Sequence, residues 1–114
     1  MNRHEELPLF VIWKEFLMWL LQHTEKFPKR VRFTISSRMD NLALDILENI
    51  IEARYSHEKL AILKTINLQI EKLRILVRIS HELKYLPHKS YEHACRYMNE
   101  AGKMTGGWIK QQSK

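Results

Sequence analysis

Apolar side chains recur at helical spacing along most of this chain, and the period holds over long stretches. One stripe runs through Ile35, Met39, Leu42, Ile46, Ile50 and Ala53, with Ala43 and Leu47 beside it. A second runs through Leu63, Ile66, Ile70, Leu73 and Val77 to Leu83, and a third through Tyr91, Ala94, Cys95, Met98 and Ala101. Residues three and four apart share one face of a helix, so each stripe predicts an amphipathic helix with one buried side. The strongest helix breakers stand only at Pro8, Pro28, Pro87, Gly102, Gly106 and Gly107. They divide the chain into four helices: Pro8 to Glu25, Phe33 to Arg54, Ser56 (as a cap) to about Leu86, and a fourth after Pro87 that frays or ends at Gly106-Gly107. Short joints between long helices favour opposed neighbours. The expected fold is therefore all-α, an up-down-up-down antiparallel four-helix bundle over residues 1–110 with a short disordered tail at 111–114.

The first predicted helix departs from the amphipathic pattern. Between Leu7 and Leu21 only Lys14 and Glu15 are charged, and Trp13, Phe16, Leu17, Trp19 and Leu20 fall on several sides of the axis. A helix apolar all round must be covered all round. A bundle normally leaves one face of each helix in water, so these five residues are expected to meet another subunit. The run is too short, and too interrupted by charge, to span a bilayer of about 20 residues' depth. His4, Glu5 and Glu6 precede it and no small-residue cleavage site follows, so it does not read as a signal peptide.

Charge adds a direction to this picture. In 114 residues, 19 Lys and Arg face 13 Asp and Glu, a net +6. That balance favours an anionic partner: nucleic acid, an acidic protein or an anionic membrane surface. The surplus is unevenly placed. Residues 22–40 and 72–97 hold eleven Lys or Arg and four acids, whereas the remainder holds eight bases and nine acids. A turn near Ser56 would set Arg38 level with Arg74, and a turn near Pro87 would set Arg78 level with Arg96. The expected nucleic-acid-binding set is Lys29, Arg30, Arg32, Arg38, Arg74, Arg78, Lys84 and Arg96. Arg74 and Arg78, an i, i+4 pair of like charge, cost the helix about 0.2–0.5 kcal/mol unless something opposes them. Arginine forks suit phosphate oxygens. No aromatic residues alternate with the cluster as a base-stacking platform requires, so backbone or shape recognition is expected, with little sequence readout.

Catalytic signatures are missing. There is no glycine-rich phosphate loop, paired-cysteine metal spacing or nucleophile elbow. The six histidines form no i, i+4 zinc pair, and Glu48 and Glu52 read as a solvated acidic face. Cys95, the single cysteine, forms no intrachain disulfide, which suits a reducing cytoplasm. No enzyme, metal or cofactor is expected.

Several segments, in order and over nearly the whole chain, carry a family likeness. They are Phe27-Pro28-Lys29 followed by Arg32-Phe33-Thr34; Leu44-Asp45-Ile46-Leu47 leading to Glu52-Ala53-Arg54-Tyr55; Leu73-Arg74-Ile75-Leu76-Val77-Arg78; Tyr91-Glu92; and Gly106-Gly107-Trp108-Ile109-Lys110. On these the chain resembles the accessory variability proteins of diversity-generating retroelements, a group of small four-helix bundles. The resemblance implies a homopentameric barrel with a basic surface, which binds the element's reverse transcriptase and template RNA without catalysis of its own. It matches Arg74 and Arg78 to the family's third-helix arginines, and Lys29, Arg30 and Arg32 to its basic first turn. Gly107 and Trp108 match a C-terminal motif of structural or assembly role. A related group, encoded in insertions within ribosomal RNA genes, shares the bundle and the Phe-Pro joint but ends its second helix differently from Ile50-Ile51-Glu52-Ala53-Arg54. The expected function is an RNA- and reverse-transcriptase-binding scaffold. The alternatives are that related group and a purely structural homo-oligomer.

Overall fold

A computed structural model of the chain describes residues 7–113. The segment His4-Glu5-Glu6, on which the signal-peptide reading rests, and Lys114 lie outside the described residues. Four helices make up the fold: α1 (Pro8–Thr24), α2 (Ser37–Tyr55), α3 (Lys59–Glu82) and α4 (His88–Gln112). No strand occurs among the described residues. A 3₁₀ turn (Lys29–Val31) and a π-helical turn (Arg32–Ser36) join α1 to α2.

The helix boundaries have local causes. Pro8 opens α1 where its missing N–H costs nothing. Phe27-Pro28 closes that segment, with Phe27 buried beneath the joint. Between α2 and α3, the Ser56 hydroxyl accepts the Glu58 N–H at 3.0 Å. The Lys59 ammonium then donates to the carbonyls of Ala53, Arg54 and Ser56, each at 2.8 Å. One cation thus satisfies the orphan acceptors at the end of α2. α3 ends at Glu82 rather than near Leu86. Lys84 adopts φ 66°, its N–H reaches the His81 carbonyl, and the Tyr85 N–H reaches that of Ser80, both at 2.9 Å. This is a Schellman stop built on lysine, where glycine is the usual residue.

α1 and α3 each pack on α2 and α4, so the helices form a closed ring around one core. Along α2 the partners on α3 fall in number as α2 rises: Met39 meets Ser80, and Asn49 meets Gln69. α1 and α4 show the same opposition, since Phe16 stacks near Tyr97 and Trp19 near His93. The core draws on every helix: Trp13, Phe16 and Leu20; Met39, Ile46 and Ile50; Leu63, Ile66, Ile70, Leu73 and Val77; Ala94, Met98 and Ala101. Burying each large aliphatic side chain contributes about 1.5–3 kcal/mol before entropy is counted.

Three expectations are corrected here. Trp13, Phe16, Leu17 and Leu20 are not an intersubunit face, because each is at most 6% exposed inside its own bundle. The Trp13 indole N–H donates to the Ala43 carbonyl at 2.9 Å, giving a buried polar group its partner within the chain. Trp19 is half-buried, with its ring stacked 4.0 Å from His23. The exposed apolar residues of α1 are instead Val11, Met18 and Leu21. Second, α4 runs through Gly106 and Gly107 to Gln112, so residues 111 and 112 are helical rather than a tail. Third, Met39 opposite Ser80 shifts the register, placing Arg38 beside the last turn of α3 rather than level with Arg74.

Candidate nucleic-acid interface

Several contacts gather the ends of all four helices and the two joints between them at one end of the bundle. The Thr24 hydroxyl donates to Asp40 Oδ1 at 2.7 Å, tying the end of α1 to the start of α2. Phe27 packs on Tyr85, and the Arg30 guanidinium lies 5.9 Å from the same ring. His81 stacks on Tyr91 across the α3–α4 turn. Cations predominate among the charged side chains that leave this framework outward: Lys26, Lys29, Arg30, Arg32, Arg38, Lys72, Arg78, Lys84, Lys89 and Arg96 are all exposed, against the exposed acids Glu25, Glu82 and Glu92.

Arg74 differs from these ten. Its Nε donates to Glu71 Oε1 at 2.9 Å, its Nη1 bonds Asn99 Oδ1, and its Nη2 donates to the Met98 carbonyl at 3.2 Å. The guanidinium therefore pins α3 to α4 and lies against Gly102. Counting Glu71 with this half leaves eleven bases against five acids, an excess of +6, and among the described residues the other half balances at six against six. Among the described residues none of the other ten cations forms an ion pair with a carboxylate. Arg78, one turn after Arg74, lines a shallow groove with Tyr91 and Cys95. Burial raises the Tyr91 phenol above its ordinary 10.0, and the nearby Arg78 charge works against that rise. Burial, then the charge of Glu15 and a hydrogen bond to it, raise the Tyr97 phenol on the α1–α4 face.

A family model described as bAvd-like matches residues 10–112. The chain belongs to the bAvd-like family. This is the family of accessory proteins that its segments resemble. No curated protein matches it.

The bAvd-like chain also has a cleft that the sequence reading missed. It holds about 700 Å³ between the end of α1 and the π-helical turn, and Leu21, Thr24, Arg32, Phe33, Ser36 and Asp40 are among its walls. Phe33 is 87% exposed, a large aromatic left in water beside Arg32. Ser36 is 7% exposed, and its hydroxyl has no hydrogen-bond partner. A helical serine or threonine usually bonds a carbonyl one turn back, as Ser80 does to Leu76 and Thr105 to Ala101, and Ser36 makes no such bond. Burial raises the Asp40 carboxyl above its ordinary 3.8, partly offset by the Thr24 hydrogen bond. The available signal was Phe33, set in a run of cations and hydroxyls where no core stripe needs it. Reading it as the first residue of an amphipathic helix concealed that. At the opposite end, Trp108 and Gly107 line a second cleft with Leu9 and Met104. Among the described residues, no cluster of His, Cys, Asp and Glu is arranged to hold a metal, and no helix is long and apolar enough to cross a membrane.

Proposed function

We propose that this bAvd-like protein is a non-catalytic scaffold that grips structured RNA at its cationic half and docks the reverse transcriptase of a diversity-generating retroelement. The single observation that supports the reading is the set of ten exposed cations in one half, none paired with a carboxylate among the described residues. Such a surface focuses an attractive field on phosphates over a Debye length of about 8–10 Å. The helices form an up-down-up-down antiparallel bundle, and the bundles assemble as a homopentamer in the cytoplasm. With Trp13, Phe16, Leu17 and Leu20 committed to the core, assembly falls to the exposed apolar residues of the outer faces, such as Met18, Leu44, Ile51, Leu68 and Ile75. Five copies carry about +30 from a chain charge of +6, so binding is dominated by counterion release. The logarithm of the affinity then falls with the logarithm of salt, with a slope of about −0.7 to −0.9 per phosphate neutralised. Fluorescence anisotropy with duplex RNA across a salt series, together with light scattering for the assembly, tests this. A flat salt response would leave a purely structural oligomer as the better reading.

A further inference from the structure

The cleft between α1 and the π-helical turn combines features that the phosphate-gripping surface does not need. Phosphate recognition uses cations and N–H donors, yet this cleft presents an acceptor, Asp40, and a buried hydroxyl without a partner, Ser36. It also keeps the Phe33 ring 87% exposed at its wall, beside the Arg32 guanidinium. A π-helical turn within an otherwise α-helical chain often marks a functional site, because the altered hydrogen-bond pattern re-aims side chains. Here that turn holds both Ser36, whose hydroxyl has no partner, and the exposed Phe33.

We propose that this cleft binds one unpaired RNA base, with Phe33 stacking on the ring, Arg32 meeting the adjoining phosphate, and Asp40 with Ser36 reading the base edge. The proposal rests on the RNA-binding reading above, and it adds base recognition where only backbone recognition was expected. A carboxylate accepts hydrogen bonds and offers none. Thr24 occupies Oδ1 on one side, leaving Oδ2 and further lone pairs for a ligand. The RNA base whose Watson–Crick edge presents two adjacent N–H donors to such an acceptor is guanine. The Ser36 hydroxyl lies buried in the cleft wall, and a rotation about its Cα–Cβ bond turns it toward the ligand, where it supplies the donor that the guanine carbonyl needs. The volume of about 700 Å³ falls in the range of small-ligand sites, about 300–1,000 Å³. A basic peptide would also satisfy Asp40 and Glu25, the two carboxylates in the walls, but Arg32 in the wall with Lys26, Lys29, Arg30 and Arg38 close by in sequence outnumber them, and this excess repels the peptide and attracts phosphate.

The test is anisotropy of the full-length protein with a short uridine oligoribonucleotide carrying one central guanine. Controls are the same oligomer with adenine, cytosine or uridine at that place, a duplex RNA, and a labelled arginine-rich peptide. The wild type is expected to favour the guanine oligomer by roughly five- to 150-fold, the worth of one bidentate base contact. Phe33→Ala removes an exposed ring, so the fold survives. It is expected to weaken single-strand binding by roughly five- to 150-fold, the worth of one stacked base, and to leave duplex binding in place. Asp40→Asn and Ser36→Ala are expected to erase the guanine preference. Equal affinity for the four oligomers, a preference for another base, an unchanged Phe33→Ala variant, or tighter binding of the peptide in competition with RNA overturns the proposal. If those results appear while duplex binding keeps its salt dependence, only the cleft inference falls. If duplex binding fails and the guanine preference stands, the phosphate-grip reading falls instead.

Discussion

Asp40 carries two opposed demands. Its carboxyl accepts the Thr24 hydroxyl at 2.7 Å, which favours the charged form, and partial burial disfavours that form more strongly. The folded value therefore lies above the ordinary 3.8. For a carboxyl raised by folding, the contribution to stability is complete below the unfolded value and is lost as pH rises through the folded one. At neutral pH the ionised Asp40 is a net cost to the fold. Asparagine has the same shape, carries no charge, and can still accept from Thr24. Asp40→Asn is therefore expected to melt higher than the wild type at neutral pH, with the advantage vanishing below pH 3.8. Thermal melts followed by circular dichroism at both ends of that range check it, and a variant that melts lower at neutral pH would show that the surrounding cations already stabilise the charge. A group that lowers stability at working pH fits a ligand-binding role better than a packing one. None of this was legible beforehand. The i, i+16 pairing of Thr24 with Asp40 depends on how the 3₁₀ and π turns fold the chain back, and no local pattern specifies that.

The four helices were legible because the stripes are long and the breakers few. Their ends were less so, and for a common reason: the usual punctuation residues are not where the punctuation occurs. α3 stops at a left-handed residue that is Lys84, with no glycine or asparagine to signal it. α4 passes through two glycines because Trp108 and Ile109 pack against the core and hold that turn helical. Tertiary packing overrides propensity in both places. The glycines of α4 should differ in what they tolerate. A Cβ at Gly106 or Gly107 meets nothing within 4 Å, and neither residue has positive φ. Gly106→Ala and Gly107→Ala are each expected to stabilise the protein by about 0.5–1 kcal/mol. A Cβ at Gly102 lies 3.2 Å from Arg74 Nη2, and that guanidinium is held by Glu71, Asn99 and Met98. Gly102→Ala should therefore gain less than the other two, or lose stability. Urea midpoints for the three variants give the order directly. An equal gain at all three would mean that Arg74 moves freely and does not pin α3 to α4.

At the scale of the whole molecule, placement of charge separates a binding surface from a merely basic protein. A net +6 raises the affinity for any polyanion wherever the cations sit. Focusing requires that the excess belong to one half, which here holds eleven bases against five acids while the other half is balanced among the described residues. Two triple variants with the same change in net charge distinguish the cases. Lys29, Arg78 and Lys89 are exposed in the cationic half; Lys64, Lys103 and Lys110 are exposed in the balanced half. Replacing the first set with glutamine is expected to lower duplex RNA affinity and to flatten the salt slope by about 0.7–0.9 for each phosphate no longer neutralised. Replacing the second set is expected to change both only slightly, since surface charges more than about 8–10 Å from the bound phosphates are largely screened. All six side chains are exposed, so both variants should retain the helical signal and melting temperature of the parent, which removes misfolding as the cause of any difference. Equal reductions from the two sets would show that net charge alone sets the affinity. The ten uncompensated cations would then be a solvated surface, and RNA recognition by this bAvd-like protein would have to be sought at the Phe33 cleft rather than across the cationic half.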